Sequence, residues 1–159
     1  PKLYDIDKAS LGYGYSLTSN MLQIARAYTV FANDGIMIEP KILINIKSDK
    51  VRVLSKSNAS FILDSLRETV LDGTASNLKN EGVEIAGKTG TSEKYIEGVG
   101  YASEKYISSF ASIFPYNNPK FIMIVSIDEP DPNKYFGGDV SAPVVGLSLR
   151  SLDLPPVPE

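Results

Sequence analysis

The stretch Ile85-Ala-Gly-Lys-Thr-Gly-Thr-Ser92 combines a strand pattern with side chains that can bind a ligand. Alternate residues of a strand share a face, so Lys88 and Gly90 are expected on one side and the threonines on the other. Gly90 would let a substrate backbone come close, the hydroxyls of Thr89 and Thr91 could hold a carboxylate, and the lysine supplies positive potential. A glycine-bearing core strand with a solvated lysine remains the competing interpretation, because three such common residues recur by chance.

Helical and strand patterns surround this stretch and predict one fold class. Residues 1–17 are rich in Gly and Tyr without a period and are expected to form an extended loop. Short connections between the later strands imply antiparallel neighbours. The expected fold is α+β, an antiparallel β-sheet covered by helices. The predicted elements are a helix from 21 to 32 capped by Thr18, a small ribbon at 41–55, a helix from Ser57 to about Gly73, strands at 83–94, 105–114 and 120–128, and a helix capped by Asp139.

Two further expectations concern segments near the predicted sheet. In the last helix Val140, Val144 and Leu147 fall on one face, which we expect to be buried. The loop at 95–104 is interpreted either as a solvated connector or as a lid over a cleft. Residues 1–154 are predicted to form one domain portion, with the ribbon at 41–55 as an insertion and 155–159 as a tail.

Composition excludes several classes of function. The 159 residues carry 16 Lys and Arg against 19 Asp and Glu, a net charge of −3, which argues against a nucleic-acid partner. The sequence has neither His nor Cys, so a His-dependent triad, a Cys nucleophile and disulfides are excluded, and no metal or cofactor is expected. The longest apolar run, 121–125, is far shorter than a membrane span. A start at Pro1 hints at a fragment or a processed product.

The order of short motifs along the chain points to a known family. Lys88-Thr-Gly-Thr91 resembles the K-T-G motif of penicillin-binding proteins and serine β-lactamases. Further segments match the family pattern in the same order along the chain: Gly12-Tyr-Gly14, Thr18 with Gln23-Ile-Ala-Arg-Ala-Tyr28, Phe31-Ala-Asn-Asp-Gly35 with Pro40, Gly73-Thr-Ala75, Ser109-Phe-Ala111 with Phe114-Pro115, Asp128-Glu-Pro130, and Tyr135-Phe-Gly-Gly138 with Ala142-Pro-Val144. The whole set resembles the C-terminal portion of the catalytic domain of class B penicillin-binding proteins, the monofunctional peptidoglycan D,D-transpeptidases.

The resemblance implies roles for the residues of the K-T-G strand. Lys88 would act on proton transfer, and the backbone N–H of Thr91 would form one half of an oxyanion hole. Thr89 and Thr91 would bind the substrate carboxylate, and Gly90 would let the substrate add beside the strand. A candidate rim of the cleft is formed by Tyr135, Gly137 and Gly138.

The family's nucleophile motif S-x-x-K and its partner S-x-N are not identifiable in context. Ser76-Asn-Leu-Lys79 matches S-x-x-K literally, but it lies nine residues before Lys88 in a predicted loop and is not expected to be catalytic. Thr18-Ser-Asn20 is interpreted as a helix cap and Tyr116-Asn-Asn118 as a turn. Ser19 replaces a proline of the family pattern. The chain alone is therefore predicted to be inactive.

Three functions remain open on these grounds. The first is a peptidoglycan cross-linking transpeptidase, inhibited by β-lactams and present here without its nucleophile. The second is a non-catalytic sensor or regulatory module of the same fold, and a serine β-lactamase is the weakest candidate. The resemblance implies peptidoglycan stem peptides, β-lactam antibiotics, the upstream half of the domain, and divisome or elongation proteins as partners. It also implies a periplasmic catalytic domain tethered to the inner membrane by an upstream anchor. If the upstream half is absent, we expect dimerisation or poor solubility.

Overall fold

The structure is a computed structural model that describes residues 4–12, 14, 17–43 and 45–151. Within these residues, four helices lie at Asp5–Gly12 (α1), Met21–Ala32 (α2), Lys56–Leu71 (α3) and Gly137–Ser151 (α4). Five strands lie at Ile36–Ile38 (β1), Lys50–Arg52 (β2), Ala86–Ile96 (β3), Gly100–Phe114 (β4) and Phe121–Asp128 (β5). A short 3₁₀ turn at Ser76–Leu78 connects α3 to the region before β3.

The main sheet has three antiparallel strands in the order β3-β4-β5, so β3 is an edge strand. Helices cover both of its faces. On one face Phe110 and Phe114 of β4 pack with Val145 of α4, and on the other Ile113 packs with Leu66 of α3 and the aromatic side chains of α2. The α+β fold class expected from the sequence is therefore confirmed.

The helix caps differ from the predicted ones. Asn20, not Thr18, caps α2: its side chain accepts a hydrogen bond from the Gln23 N–H, and the Gln23 side chain accepts one from the Asn20 N–H, both at 2.9 Å. This reciprocal capping box is stronger than a lone threonine cap. Ser55, two residues before the predicted Ser57, caps α3 by accepting from the Asn58 N–H.

The structure contains a two-stranded ribbon, but the predicted position of its first strand is wrong. β1 precedes Pro40 and pairs with β2 through Ile36↔Arg52 and Ile38↔Lys50. Of the segment predicted as a strand, residues 42, 43, 45 and 46 form bends and turns, and Ile44 lies outside the described residues. Gly35, with φ +89°, turns the chain from α2 into β1, and its carbonyl accepts from the N–H groups of Val53 and Leu54. Because of this turn, the first strand of the ribbon begins at Ile36, earlier in the chain than the alternating isoleucines at 42–46 indicate.

Two segments expected to be irregular are regular. Residues 5–12, predicted as loop, form α1. Residues 95–104 belong mostly to β3 and β4, which extend as a hairpin with the pairs Tyr95↔Tyr101 and Ile96↔Gly100. A bulge between Glu93 and Lys94 and a positive φ at Glu104 interrupt the ladder, which explains why the alternation is hard to see in the sequence.

The predicted buried face of α4 is wrong. Val144 and Leu147 are 37% and 61% exposed, whereas α4 buries a stripe of mostly small residues. The buried residues are Gly137, Gly138, Ser141, Ala142, Val145, Gly146 and Leu149. Small side chains let the helix approach the sheet closely, and this contact decides which face turns inward.

Neither a membrane-crossing helix nor a metal cluster occurs among residues 4–12, 14, 17–43 and 45–151. No helix there is long and apolar enough to span a bilayer. No group of three or more His, Cys, Asp or Glu side chains there is arranged to hold a metal ion.

Candidate active site

Residues 88–91 lie in the middle of β3, on the outer edge of the sheet. Their inner side is bonded to β4, with Lys88 opposite Ala111 and Thr91 opposite Ser108. The other side of β3 pairs with no strand in the described part of the chain. An edge strand leaves backbone N–H and C=O groups free to pair with an added extended segment.

A cleft of about 240 Å³ lies beside this edge, between β3 and the start of α4. The Gly137 N–H donates a hydrogen bond to Thr91 Oγ1 at 3.0 Å, which fixes the position of that hydroxyl against the helix N-terminus. The lining residues are Thr74, Thr89, Thr91, Phe136, Gly137, Gly138 and Asp139. Two of the expected substrate-binding residues and two of the expected rim residues therefore come together in one cleft.

Thr74 completes a set of three threonines in the cleft. Its Oγ1 lies 2.6 Å from Thr89 Oγ1, so one hydroxyl donates to the other and the pair is oriented. The turn that carries Thr74 is held to α4 by Asn77, whose Nδ2 donates to the Gly138 carbonyl at 2.7 Å. Thr74 was not among the site residues predicted from the sequence. Its place in the Gly73-Thr-Ala75 motif was the available signal.

The two glycines at the start of α4 are required by close packing. A Cβ on Gly137 would lie 2.5 Å from the Ser109 carbonyl oxygen and 2.6 Å from that of Gly90. A Cβ on Gly138 would collide with the carbonyl oxygen of Thr74. Because these neighbours are backbone atoms, they cannot move aside as a flexible side chain would. The sequence predicted the glycines as a rim without this reason.

Lys88 and Gly90 lie on the other side of β3. The Lys88 side chain is exposed, and its Nζ donates to the Thr89 carbonyl at 3.0 Å. A Cβ on Gly90 would lie 2.6 Å from Ser109 Oγ, the end of a small side chain.

Phe136, which lines the cleft, belongs to a cluster of three aromatic rings. The rings of Tyr106 and Tyr135 are parallel with centroids 3.8 Å apart, and Phe136 follows at 4.6 Å from Tyr135. The Tyr135 carbonyl accepts a hydrogen bond from the buried Ser108 hydroxyl, which ties this segment to β4. A hydrogen bond with Tyr135, then burial and nearby negative charge, raise the pKa of the Tyr106 hydroxyl. Of these rings the sequence predicted only Tyr135.

Structural roles outside the cleft are found for the three short segments that were not expected to be catalytic, residues 76–79, 18–20 and 116–118. Ser76 starts the 3₁₀ turn, and Leu78 of that turn is buried in the core. Asn20 caps α2 as described above. Tyr116 donates a hydrogen bond to Asp64 of α3 at 2.8 Å, and this bond is the main cause of the raised pKa of the tyrosine.

Comparison with known proteins places this geometry in context. The family described as "Penicillin binding protein transpeptidase domain" matches residues 1–149. A peptidoglycan D,D-transpeptidase FtsI homolog of Mesostigma viride is 33% identical over 94% of this chain and 29% of its own length. A probable peptidoglycan D,D-transpeptidase PbpC of Pseudomonas aeruginosa is 35% identical over 98% of this chain and 28% of its own length. The chain thus spans under a third of these curated relatives.

Solved structures agree in fold. The transpeptidase domain of penicillin-binding protein 3 from Burkholderia pseudomallei superposes with a TM-score of 0.82 at 36% identity, covering 99% of this chain and 50% of that one. Penicillin-binding protein 3 from Mycobacterium tuberculosis, solved in complex with aztreonam, gives a TM-score of 0.77 at 26% identity over 94% of this chain and 39% of that one.

Proposed function

Since this chain belongs to the penicillin-binding protein transpeptidase family, we propose that it forms the substrate-binding side of a peptidoglycan D,D-transpeptidase. The nucleophilic serine, in an S-x-x-K motif, and its S-x-N partner lie outside residues 1–159. The substrates are stem peptides ending in D-Ala-D-Ala, and β-lactams occupy the same groups. The chain by itself is inactive.

The observation that carries this proposal is the open edge of β3 beside the threonine-lined cleft. Thr89 and Thr91 are held by Thr74 and by the Gly137 N–H, so their hydroxyls are fixed before a ligand arrives. Preorganised donors bind a carboxylate or a developing oxyanion without reorganisation at the moment of reaction. The free backbone of β3 supports binding of an extended peptide in register with these hydroxyls.

The proposed reaction is acyl transfer in two steps. The serine oxygen bonds to the carbonyl carbon of the penultimate D-Ala, and the C–N bond to the terminal D-Ala then breaks as its nitrogen takes up a proton. An amine of a second stem peptide next attacks the acyl-enzyme ester, forms the new amide and releases the serine, which recovers its proton. No external oxidant or energy source is needed, because one amide replaces another.

Each residue of the K-T-G strand has a distinct role in this scheme. The hydroxyls of Thr89 and Thr91 bind the terminal carboxylate. The N–H of Thr91 donates to the oxyanion of the tetrahedral intermediate, a contribution typically worth about 2.7 to 4 kcal/mol of barrier. Lys88 stabilises negative charge and assists proton transfer through the absent serine of S-x-N. Tyr135, Gly137 and Gly138 border the bound substrate.

The wider setting follows from this assignment. We propose that residues 1–154 pack against the upstream half of the same domain, and that the whole domain is periplasmic and tethered to the inner membrane by an upstream anchor. Divisome or elongation proteins are its proposed protein partners.

The test is the intact mass of the protein after incubation with excess benzylpenicillin. The chain of 159 residues should gain no adduct, whereas the intact protein should gain one, mapped by tryptic digestion to a serine outside this chain. An adduct on Ser76 would show that the wrong S-x-x-K was dismissed. Absence of any adduct on the intact protein would contradict the proposed function.

A further inference from the structure

A carboxylate follows the substrate-binding threonines along β3. Glu93 lies two residues after Thr91, opposite Tyr106 of β4, and its side chain is exposed. It borders a groove of about 360 Å³ beside the second half of β3, which shares no lining residue with the threonine-lined cleft. The groove is lined by Gly14, Leu17, Thr18, Ser19, Ser92, Glu93, Tyr95, Tyr101 and Ile107.

The charge of Glu93 is not compensated. Within the described part of the chain no Lys or Arg forms an ion pair with it. Its neighbour Lys94 is held by Asp128 at 2.8 Å and Glu129 at 2.9 Å, on the β5 side. The Lys88 ammonium is bonded to the Thr89 carbonyl, further back along the strand. The groove therefore contains a carboxylate that is available to a ligand.

Aromatic rings make the same region suitable for a cation. Tyr95 and Tyr101 meet edge to face, with centroids 5.6 Å apart, and both line the groove. The Glu93 charge also reaches Tyr106, where it contributes to the raised pKa of that hydroxyl. Ring faces attract ammonium groups, and a neighbouring carboxylate adds to the attraction.

The direction of the bound peptide identifies the ligand group. If its carboxylate is at Thr89 and Thr91, and its reacting carbonyl is at the Thr91 N–H, earlier residues of an extended peptide run toward Glu93. Two residues of strand span roughly 7 Å, so the residue before D-Ala-D-Ala arrives at this carboxylate.

We infer that Glu93 selects stem peptides whose residue before D-Ala-D-Ala carries an amine-bearing side chain without a carboxylate of its own. This inference rests on the proposed function and adds a specificity-determining residue to it. A side chain with an additional carboxylate would meet the like charge of Glu93 and bind less well.

Two penicillins that share the same ring system but differ in the charge of the side chain test the inference about Glu93 directly. Their acylamino side chain takes the place of the preceding peptide residue. We expect the intact transpeptidase to be acylated faster by ampicillin, which carries an ammonium, than by carbenicillin, which carries a carboxylate. The ratio of the two second-order rate constants should fall about tenfold in Glu93→Gln and further in Glu93→Lys. Because both rate constants are measured on the same preparation, the fraction of active protein cancels in their ratio.

Glu97→Gln is the matched control, because it removes the same charge from the turn of the same hairpin, away from the groove. Its ratio should equal that of the wild type. An unchanged ratio in Glu93→Gln would overturn the inference, and so would an equal fall in Glu97→Gln. Failure of the wild type to react with benzylpenicillin would instead overturn the proposed function.

A peptide pair gives a second readout. Peptides ending in Lys-D-Ala-D-Ala, with the lysine amine free or acetylated, are tested as competitors of labelled benzylpenicillin. The free amine should protect the wild type several-fold better, and this advantage should vanish in Glu93→Gln. Equal protection of the wild type by both peptides would overturn the inference.

Discussion

The two halves of β3 are built differently, although they form one continuous strand. Residues 86–91 are largely buried or half-buried, and helices hold them: α4 contacts the threonines, and Arg67 of α3 donates to the Ile85 carbonyl at 2.8 Å. Residues 92–96 alternate between half-buried and exposed positions in a hairpin anchored by the ion pairs of Lys94 with Asp128 and Glu129. In the proposed function, the first half supplies fixed geometry for chemistry and the second half supplies a surface for recognition.

The largest effect should come from separating the first half from α4. In Gly137→Ala the added methyl meets backbone oxygens of Ser109 and Gly90, so the helix N-terminus must shift. Displacements of about 1 Å cost on the order of 100-fold in rate, and overpacking costs about 1–3 kcal/mol of stability. Acylation by benzylpenicillin and thermal unfolding of the intact protein measure the two effects. Gly12→Ala is the control, since its methyl would meet nothing within 4 Å, and equal acylation rates in both variants would contradict the prediction.

Removing one hydroxyl from the fixed half should have the next largest effect. Thr91→Val keeps the shape but loses the hydroxyl that is proposed to bind the ligand carboxylate. A hydrogen bond to a charged group is worth about 1.5–3 kcal/mol, which predicts a roughly 10- to 100-fold slower acylation. Thr74→Val removes only the orienting partner of Thr89 and should slow acylation roughly 2- to 10-fold. The opposite ranking in stopped-flow acylation rates would mean that Thr74 is the main carboxylate ligand.

A buried hydroxyl joins α4 to the sheet without facing the cleft. Ser141 is fully buried, and its Oγ donates to the Ser108 carbonyl at 2.9 Å. Ser141→Ala should lower the free energy of unfolding by about 1 kcal/mol, as measured by urea denaturation. Ser148→Ala on the same helix loses only a bond to Val144 within the helix and should change stability less. If both variants lose the same stability, the contact between α4 and β4 has no special weight.

The smallest effect should appear in the second half. Hydrogen bonds from Lys94 and then Lys105 lower the pKa of Glu129, so its stabilising contribution is present above the unfolded value of 4.5 and is lost as the pH falls through the lower folded value. Glu129→Gln should increase amide hydrogen exchange at 94–105 at pH 7 and leave 86–91 unchanged. Uniform exchange changes along the whole strand would show that the two halves are not distinct. Glu97→Gln should alter neither segment.

The helices and strands of the core were predictable because their signals are local. The apolar period of α2 and the alternation of the strands are properties of adjacent residues, and the fold class follows from their order. Cap and register errors arose where two local choices compete. Both Thr18 and Asn20 are good caps, but only Asn20 has Gln23 three residues on to complete a capping box.

The sequence by itself determined which residues are proposed to bind the ligand, since Lys88 to Thr91 are consecutive on one strand and strand geometry spaces them. Only the tertiary structure decided what surrounds them. The cleft is also lined by Thr74, Phe136 and Gly137. These residues are separated from Lys88 or Gly90 by 14 to 47 positions in the sequence, and no local period links such distant positions. The inward face of α4 was likewise decided by contact. Hydrophobicity favours burial of Val144 and Leu147, but the backbone approach of Gly137 to β3 requires the small-residue stripe to face the sheet.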